Sequence, residues 1–115
     1  MGYSRAVRVG DRVFVAGSAP IMADGSDPPP DAYGQGRRCL EIIRDALVDA
    51  GGDLKDVVRT RVYLTTVDAF EGFARAHGEA FAGIRPANTT VVVAALVDPR
   101  WLGEIEVEAV LNARA

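Results

Sequence analysis

The chain has 115 residues, 49% of them hydrophobic and 25% charged, which is the composition of one globular domain with its own core. Its formal net charge of −3 provides no electrostatic footprint for nucleic acid or for an anionic membrane. No apolar run reaches bilayer-spanning length, and residues 1–20 lack the pattern of a signal peptide. The single cysteine, Cys39, excludes an internal disulfide framework, so we expect a cytoplasmic chain.

The first half of the chain predicts a hairpin followed by a helix. Residues 6–9 and 12–16 alternate apolar and polar side chains around the turn dipeptide Gly10-Asp11, which predicts a β-hairpin that Gly17 ends. Residues 18–31, which contain four prolines, predict a loop. Asp31 is predicted to cap a helix that runs to about Ala50 and stops at the following two glycines. Its apolar face is Leu40, Ile43, Leu47 and Ala50.

The second half predicts a strand over residues 57–64, a helix and two further strands. Asp68 is predicted to begin the helix, with Glu71 completing a capping box. The apolar run 91–96 predicts a strand buried on both faces, entered through the polar residues 88–90. After a turn over residues 97–103, residues 104–111 alternate and predict the last strand.

The resulting order is β-β-α-β-α-β-β within a single domain, residues 1–115. Right-handed crossovers between parallel strands place both helices on one face of the sheet. The other face then has no cover within the chain. Because an apolar strand cannot leave that face in water, we expect it to be buried against other copies of the chain.

The last strand predicts an apolar face against the helices and an acidic face that carries Glu104, Glu106 and Glu108. Two interpretations of the acidic face stay open. It is either solvated, as is common on antiparallel edge strands, or it lies partly in a cleft between subunits. In a cleft, burial would raise the pKa of at least one carboxyl. Arg59 and Arg61 alternate onto one strand face and are predicted to pair with these glutamates.

Other candidate chemistry is weak in this sequence. His77 lies between Phe73 and Phe81 on the apolar helix face, a position more typical of a packing histidine than of a catalyst. No histidine and cysteine cluster has the spacing of metal ligands, and no nucleotide-binding glycine motif is complete. We therefore predict no metal and no cofactor.

Several segments together resemble one family, the reactive intermediate deaminases, also called YjgF or endoribonuclease L-PSP-like proteins. They are Tyr3, the run 13–20, residues 57–64, Arg85-Pro86-Ala87 and residues 105–109. The resemblance implies a chorismate-mutase-like α/β fold that assembles as a homotrimer, with small-molecule ligands in the clefts between subunits. It also implies hydrolysis of enamines and imines to a carbonyl compound and ammonia, without a cofactor.

Site residues follow from the resemblance by position. It implies that Glu106 handles protons. It also implies that Tyr3, Gly17 and the neighbouring Ser18 line the pocket, and that positions 88 and 90 bind the substrate. At position 88 the family's arginine, which clamps a substrate carboxylate, is replaced by Asn88. Exchanging that charge-assisted contact for a neutral one costs about 1–2 kcal/mol of binding.

The replacement keeps several hypotheses open. The first is an enamine or imine deaminase whose preference is shifted away from simple 2-imino acids, with Asn88 and Thr90 setting recognition. The second is a trimer that binds a small metabolite without turning it over, and the variant Asn88→Arg distinguishes the two. Arg100 and Trp101 either replace the missing cation or are ordinary loop residues. A ribonuclease is disfavoured by the acidic charge.

Overall fold

The computed structural model describes residues 1–112 as a mixed five-stranded sheet with two helices packed on one face. The elements are β1 (Ala6–Val9), β2 (Arg12–Ser18), α1 (Ala32–Asp49), β3 (Val57–Leu64), α2 (Phe70–Phe81), β4 (Ala87–Val92) and β5 (Gly103–Val110). Single 3₁₀ turns at Leu54–Asp56 and Val67–Ala69 precede β3 and α2. The predicted fold class and element order are confirmed. Residues 113–115 of the predicted domain lie outside the described residues.

The strands lie in the order β1-β2-β5-β3-β4. β3 and β4 are parallel neighbours, and α2 connects them. β2 and β3 are each antiparallel to β5, which lies between them, so the two strands joined by α1 also run in the same direction. Both helices therefore connect strands that run in the same direction, as predicted. The C-terminal strand completes the sheet between strands that precede it.

The hairpin and the end of α1 depend on glycines in left-handed backbone conformations. Gly10, in the hairpin turn, has a φ of 61°. Gly51, which directly follows the C-cap residue of α1, has a φ of 96°. The prediction that Gly17 ends β2 is wrong. After a register shift between Val15 and Ser18, the strand continues along β5, and Gly17 lies inside it.

The helix starts differ in how well they were predicted. Asp31 caps α1 as expected, accepting a hydrogen bond from the Gly34 amide at 3.2 Å. The predicted capping box from Asp68 to Glu71 is wrong. Thr66, whose backbone is extended, accepts instead from the Asp68 amide at 3.3 Å, so Asp68 already lies inside the 3₁₀ turn. The α-helix proper begins two residues later, at Phe70.

The strand predicted over residues 91–96, buried on both faces, is also wrong. β4 occupies Ala87–Val92 and pairs with β3 alone, so it is an edge strand rather than a central one. Val91 and Val92 are 42% and 54% exposed in the single chain. Residues 93–96 continue without strand structure. Nothing in one subunit covers the apolar run, and its burial against other copies of the chain stays a prediction.

The two faces of the sheet differ in chemistry. The face under the helices carries the core: Val13, Val15, Val57, Val62, Leu64, Ile105, Val107 and Ala109 from the strands, with Cys39, Leu40, Ile43, Leu47, Phe73 and Phe81 from the helices. We call the other side the open face. Its side chains include Val7, Val9, Arg12, Phe14, Arg59, Arg61, Tyr63, Thr89, Val91, Glu104, Glu106, Glu108 and Val110. Phe14 is 42% exposed there, as expected for a face without cover in the chain.

The helices approach each other closely at a glycine. A Cβ added to Gly72 on α2 would lie 2.6 Å from the Tyr33 amide nitrogen and 2.7 Å from the Ala32 Cβ, which belong to the first turn of α1. Because two of the nearest atoms are backbone, the contact is relieved only by moving one helix. Gly78, six residues further along α2, has open space where its Cβ would lie.

We predict opposite effects of alanine at these two glycines. Gly72→Ala should lower the free energy of unfolding by about 1–3 kcal/mol, because the added methyl group forces the helices apart. Gly78→Ala is the matched control and should raise stability by about 0.5–1 kcal/mol through helix propensity. Urea denaturation of both variants measures the difference. Equal effects of the same sign would show that the helix crossing is not sterically limiting.

Candidate functional site

The polar residues of β3 and its neighbours are divided between the two faces of the sheet. Thr60 pairs with Asn88 on β4, and both point to the helix face. Arg61 pairs with Glu106 on β5, and both point to the open face. Successive strand residues point in opposite directions, so one subunit cannot bring Asn88 and Glu106 into a common pocket.

On the helix face, a cavity of about 230 Å³ lies between α2 and the edge strand β4. Its wall is mostly apolar, with a polar part formed by His77, Asn88 and Thr90. The remaining lining residues are Val62, Phe70, Phe73, Ala74 and Gly78. An apolar wall with a few convergent polar groups is typical of a small-ligand site.

A continuous row of hydrogen bonds forms the polar part of this cavity. The Thr90 hydroxyl donates to Asn88 Oδ1 at 2.9 Å, and Asn88 Nδ2 donates to Thr60 Oγ1 at 2.9 Å. Thr60 Oγ1 in turn lies 2.8 Å from His77 Nε2. Thr60 is fully buried, so it connects the exposed amide to the half-buried imidazole. The structure thus brings together the predicted residues Asn88 and Thr90.

His77 packs as predicted, with its ring centroid 4.7 Å from that of Phe81. The hydrogen bond to Thr60 was not expected from helical spacing, because Thr60 is on another element. Burial lowers the pKa of the imidazole, which favours the neutral ring. His77 therefore has a defined polar partner as well as a packing role.

On the open face, Glu106 accepts a hydrogen bond from the Tyr63 hydroxyl. The Arg61 guanidinium is 3.9 Å from Glu106 and 3.4 Å from Glu108, and Arg59 is 3.6 Å from Glu108. The predicted pairing of the two arginines with the acidic face is confirmed. The bond to Glu106 raises the pKa of Tyr63, because it stabilises the protonated phenol.

Glu104 is the carboxyl whose environment is most unusual. It is half-buried, and this burial raises its pKa above the ordinary range, aided by the nearby charge of Glu106 and opposed by Arg5. Gly17 makes room for it, since a Cβ at that position would overlap Glu104 Oε1. We expected a raised pKa in this row and assigned the proton-handling role to Glu106. The structure puts the raised pKa at Glu104, two residues earlier on the same face.

The remaining predicted residues lie in different places. Tyr3 is exposed and shares an open groove of about 650 Å³ with Phe14 and Glu106. Gly17 borders Glu104, and its carbonyl accepts from Arg5 Nη2 at 2.6 Å. Ser18 is buried, and its hydroxyl donates to the Ala16 carbonyl at 2.9 Å. Its hydroxyl is thus used within its own strand.

The loop after β4 does not supply a cation near Asn88. Arg100 lies 2.8 Å from both Asp27 and Asp98, on the side of the molecule where Trp101 packs beside the proline-rich loop. This agrees with the interpretation of both as ordinary loop residues.

Within residues 1–112, no group of three or more histidine, cysteine or acidic residues is arranged to hold a metal ion. No helix in this part of the chain has the length and apolarity needed to cross a bilayer. Cys39 is buried, and its burial raises the thiol pKa, so it behaves as a core residue.

The chain is similar to proteins of one family. A family profile described as endoribonuclease L-PSP matches residues 1–111. A RutC family protein of Sinorhizobium fredii is 35% identical over 96% of this chain and 86% of that protein. The crystal structure of Rv2704 of Mycobacterium tuberculosis, a member of the YjgF/YER057c/UK114 family, is 41% identical with a TM-score of 0.88, covering 96% and 88% of the two chains. Escherichia coli TdcF with bound serine is 27% identical with a TM-score of 0.89, covering 100% and 90%.

We predict that NMR titration of the His77 ring will give a pKa below its ordinary value of 6.5, because the ring is partly buried. The sequence contains one histidine, so its resonance needs no separate assignment. The unfolded chain then binds a proton at a higher pH than the native chain does. Stability should therefore fall as the pH drops below about 6.5, until the native ring is also protonated.

The control for the stability measurement is His77→Gln. In urea unfolding curves, this variant should lose the part of the pH dependence that comes from the imidazole and keep the part that comes from the carboxyls. A native pKa at or above 6.5 would contradict the placement of the ring.

Proposed function

Because this chain belongs to the endoribonuclease L-PSP family, which includes YjgF, we propose that it hydrolyses reactive enamines or imines of small metabolites. The products would be a carbonyl compound and ammonia. The observation that carries the proposal is the pair of carboxyls on the open face. Glu104 has a raised pKa. Glu106, two residues further along the same strand face, is oriented by a hydrogen bond from the Tyr63 hydroxyl. Carboxyls in different environments can divide acid and base roles.

The reaction requires a positioned water molecule and proton transfers. Water adds its oxygen to the carbon of the C=N bond, while one carboxylate accepts a proton from the water and the nitrogen receives one. In the resulting carbinolamine the amine nitrogen takes a proton from the acid, the C–N bond breaks to release ammonia, and the hydroxyl gives its proton to the other carboxylate as the C=O bond forms. We assign the base to Glu106 and the acid to Glu104, whose pKa is raised by burial, with the Gly17 backbone and Tyr3 as lining. General acid–base catalysis of this kind contributes about 10²–10⁴ in rate.

We further propose that the complete site lies between subunits of a homotrimer. Asn88 and Glu106 point to opposite faces of one sheet, so a site containing both needs the open face of one copy and the cavity of another. The exposed side chains of Phe14, Val7 and Val91 on the open face support such an association, since it would remove them from water. Cyclic association of identical contacts closes after a fixed number of copies.

A trimer that binds a small metabolite without turning it over is the second candidate. The neutral amide of Asn88, with no arginine beside it, is the observation that favours this alternative. Metabolite binding in the family is supported by the structure of TdcF with bound serine. A ribonuclease is not proposed, because a net charge of −3 offers little attraction to a phosphate backbone.

We predict that Glu106→Gln will lower the rate of ammonia release by about 10²-fold or more, and that Glu104→Gln will also lower it. Freshly generated 2-iminopropionate and its uncharged carboxamide analogue serve as substrates. Glu108→Gln is the matched control on the same strand face and should retain activity. If the wild-type protein releases ammonia from neither compound faster than buffer does, the hydrolase proposal fails and the binding candidate takes its place.

Mixing two inactive variants should restore activity if the site is shared between copies. Glu106→Gln and Asn88→Leu subunits are unfolded together, refolded as mixed trimers and assayed. Random mixing gives about a quarter of the sites one intact Glu106 and one intact Asn88 from neighbouring subunits. Activity that stays at the level of the separate variants would contradict a site built from two subunits, and light scattering on the same samples reports the assembly size.

A further inference from the structure

The cavity on the helix face offers a ligand a specific set of hydrogen-bonding atoms, which can be deduced from the bonds inside its wall. Thr60 is fully buried, and its hydroxyl carries one proton. It accepts from Asn88 Nδ2, and the acceptor within reach of that proton among residues 1–112 is His77 Nε2, at 2.8 Å. Donation from Thr60 to Nε2 satisfies this buried proton, and it corresponds to the neutral ring with its proton on Nδ1.

The contacts of Asn88 favour the same direction of the row. Asn88 Nδ2 also faces the Thr60 backbone carbonyl at 3.5 Å. The reversed amide would put two oxygen atoms against each other at this distance, without a proton between them. Thr90 completes the order by donating to Asn88 Oδ1. Each hydroxyl proton in the row, and the amide nitrogen of Asn88, is thus directed toward another wall atom.

We infer that the cavity presents hydrogen-bond acceptors, so that it receives a head group bearing N–H or O–H donors, uncharged or cationic, on a short apolar stem. The free lone pairs belong to Asn88 Oδ1 and Thr90 Oγ1, at the rim of a wall formed by Val62, Phe70 and Phe73. A carboxylate brought to the same place meets the oxygen acceptors Asn88 Oδ1 and Thr90 Oγ1. Asn88 thereby determines specificity by exclusion as well as by attraction.

This inference rests on the proposed function only in taking the cavity as the part of the site that receives the ligand's head group. Its size supports a small ligand, since 230 Å³ is below the range of about 300–1,000 Å³ typical of pockets for drug-sized molecules. No charged side chain is among the residues that line the cavity, apart from His77, which is neutral in this arrangement.

Two binding probes of the same shape test the inference on the full-length wild-type protein. Isobutyramide and isobutyrate share one apolar stem and differ in the head group. Binding is followed at neutral pH by NMR, through the resonances of the His77 ring and the Asn88 side chain. We expect isobutyramide to bind about tenfold or more tightly than isobutyrate. Equal binding, tighter binding of isobutyrate, or no detectable binding of either at its solubility limit overturns the inference.

The tautomer of His77 provides an independent measurement that needs no ligand. Nitrogen-15 shifts of the ring should show a proton on Nδ1 and a bare Nε2 at neutral pH. A proton on Nε2 would reverse the row of hydrogen bonds, expose a donor at Thr90 and overturn the inference. Neither measurement involves turnover, so a failure to hydrolyse imines leaves both results interpretable.

Substitutions on β4 complete the design. Asn88→Arg should reverse the preference and favour isobutyrate by about tenfold, because a guanidinium binds a carboxylate through two charge-assisted bonds. Thr89→Arg is the matched control, since it adds the same charge one residue away on the open face. Its preference should equal that of the wild type. An unchanged preference in Asn88→Arg, or an equal reversal in Thr89→Arg, would show that Asn88 does not govern the head group.

Discussion

The structure depends on one asymmetry, which is that both helices cover the same face of a five-stranded sheet. The covered face is built from apolar side chains and closes the core of the domain. The uncovered face combines exposed apolar residues with arginines and glutamates in paired rows. Because the side chains of a strand alternate, every strand that crosses the sheet contributes to two different surfaces. The chemistry of the protein is divided in the same way.

This division gives the two halves of the candidate site different electrostatic characters. On the open face, a half-buried carboxyl lies beside a second carboxyl that is oriented by a phenol. On the helix face, the polar groups are neutral and satisfied by one another. Charged side chains are therefore concentrated on one face, and the neutral polar row lies on the other. An enzyme assembled from two copies would join a reactive half to a selective half.

Much of the fold could be predicted from the sequence, because in those segments the local sequence signals agree with the tertiary structure. The hairpin turn, the Asp31 cap and the alternation of β5 all follow from residue chemistry within a few positions. The start of α2 was missed for a local reason, since Thr66 rather than Asp68 is the cap, but the other errors occurred where the outcome depends on distant partners. The run 91–96 has the composition of a central strand, but its neighbour on one side is absent in the single chain. Likewise, Glu104 differs from Glu106 because Gly17, far away in sequence, leaves space beside it. The row from Thr90 to His77 joins three elements and has no signature in any of them.

The alternation along β4 has a consequence for how such a protein can diverge. Positions 88 and 89 are adjacent in the chain, but they belong to different surfaces. Point substitutions can therefore retune ligand preference while the opposite face keeps its shape. An insertion or deletion of one residue between α2 and β4 would instead exchange the two sets of side chains along the whole strand. The length of that short connection therefore decides which surface Asn88 reaches, whereas a substitution within the strand changes only the chemistry offered there.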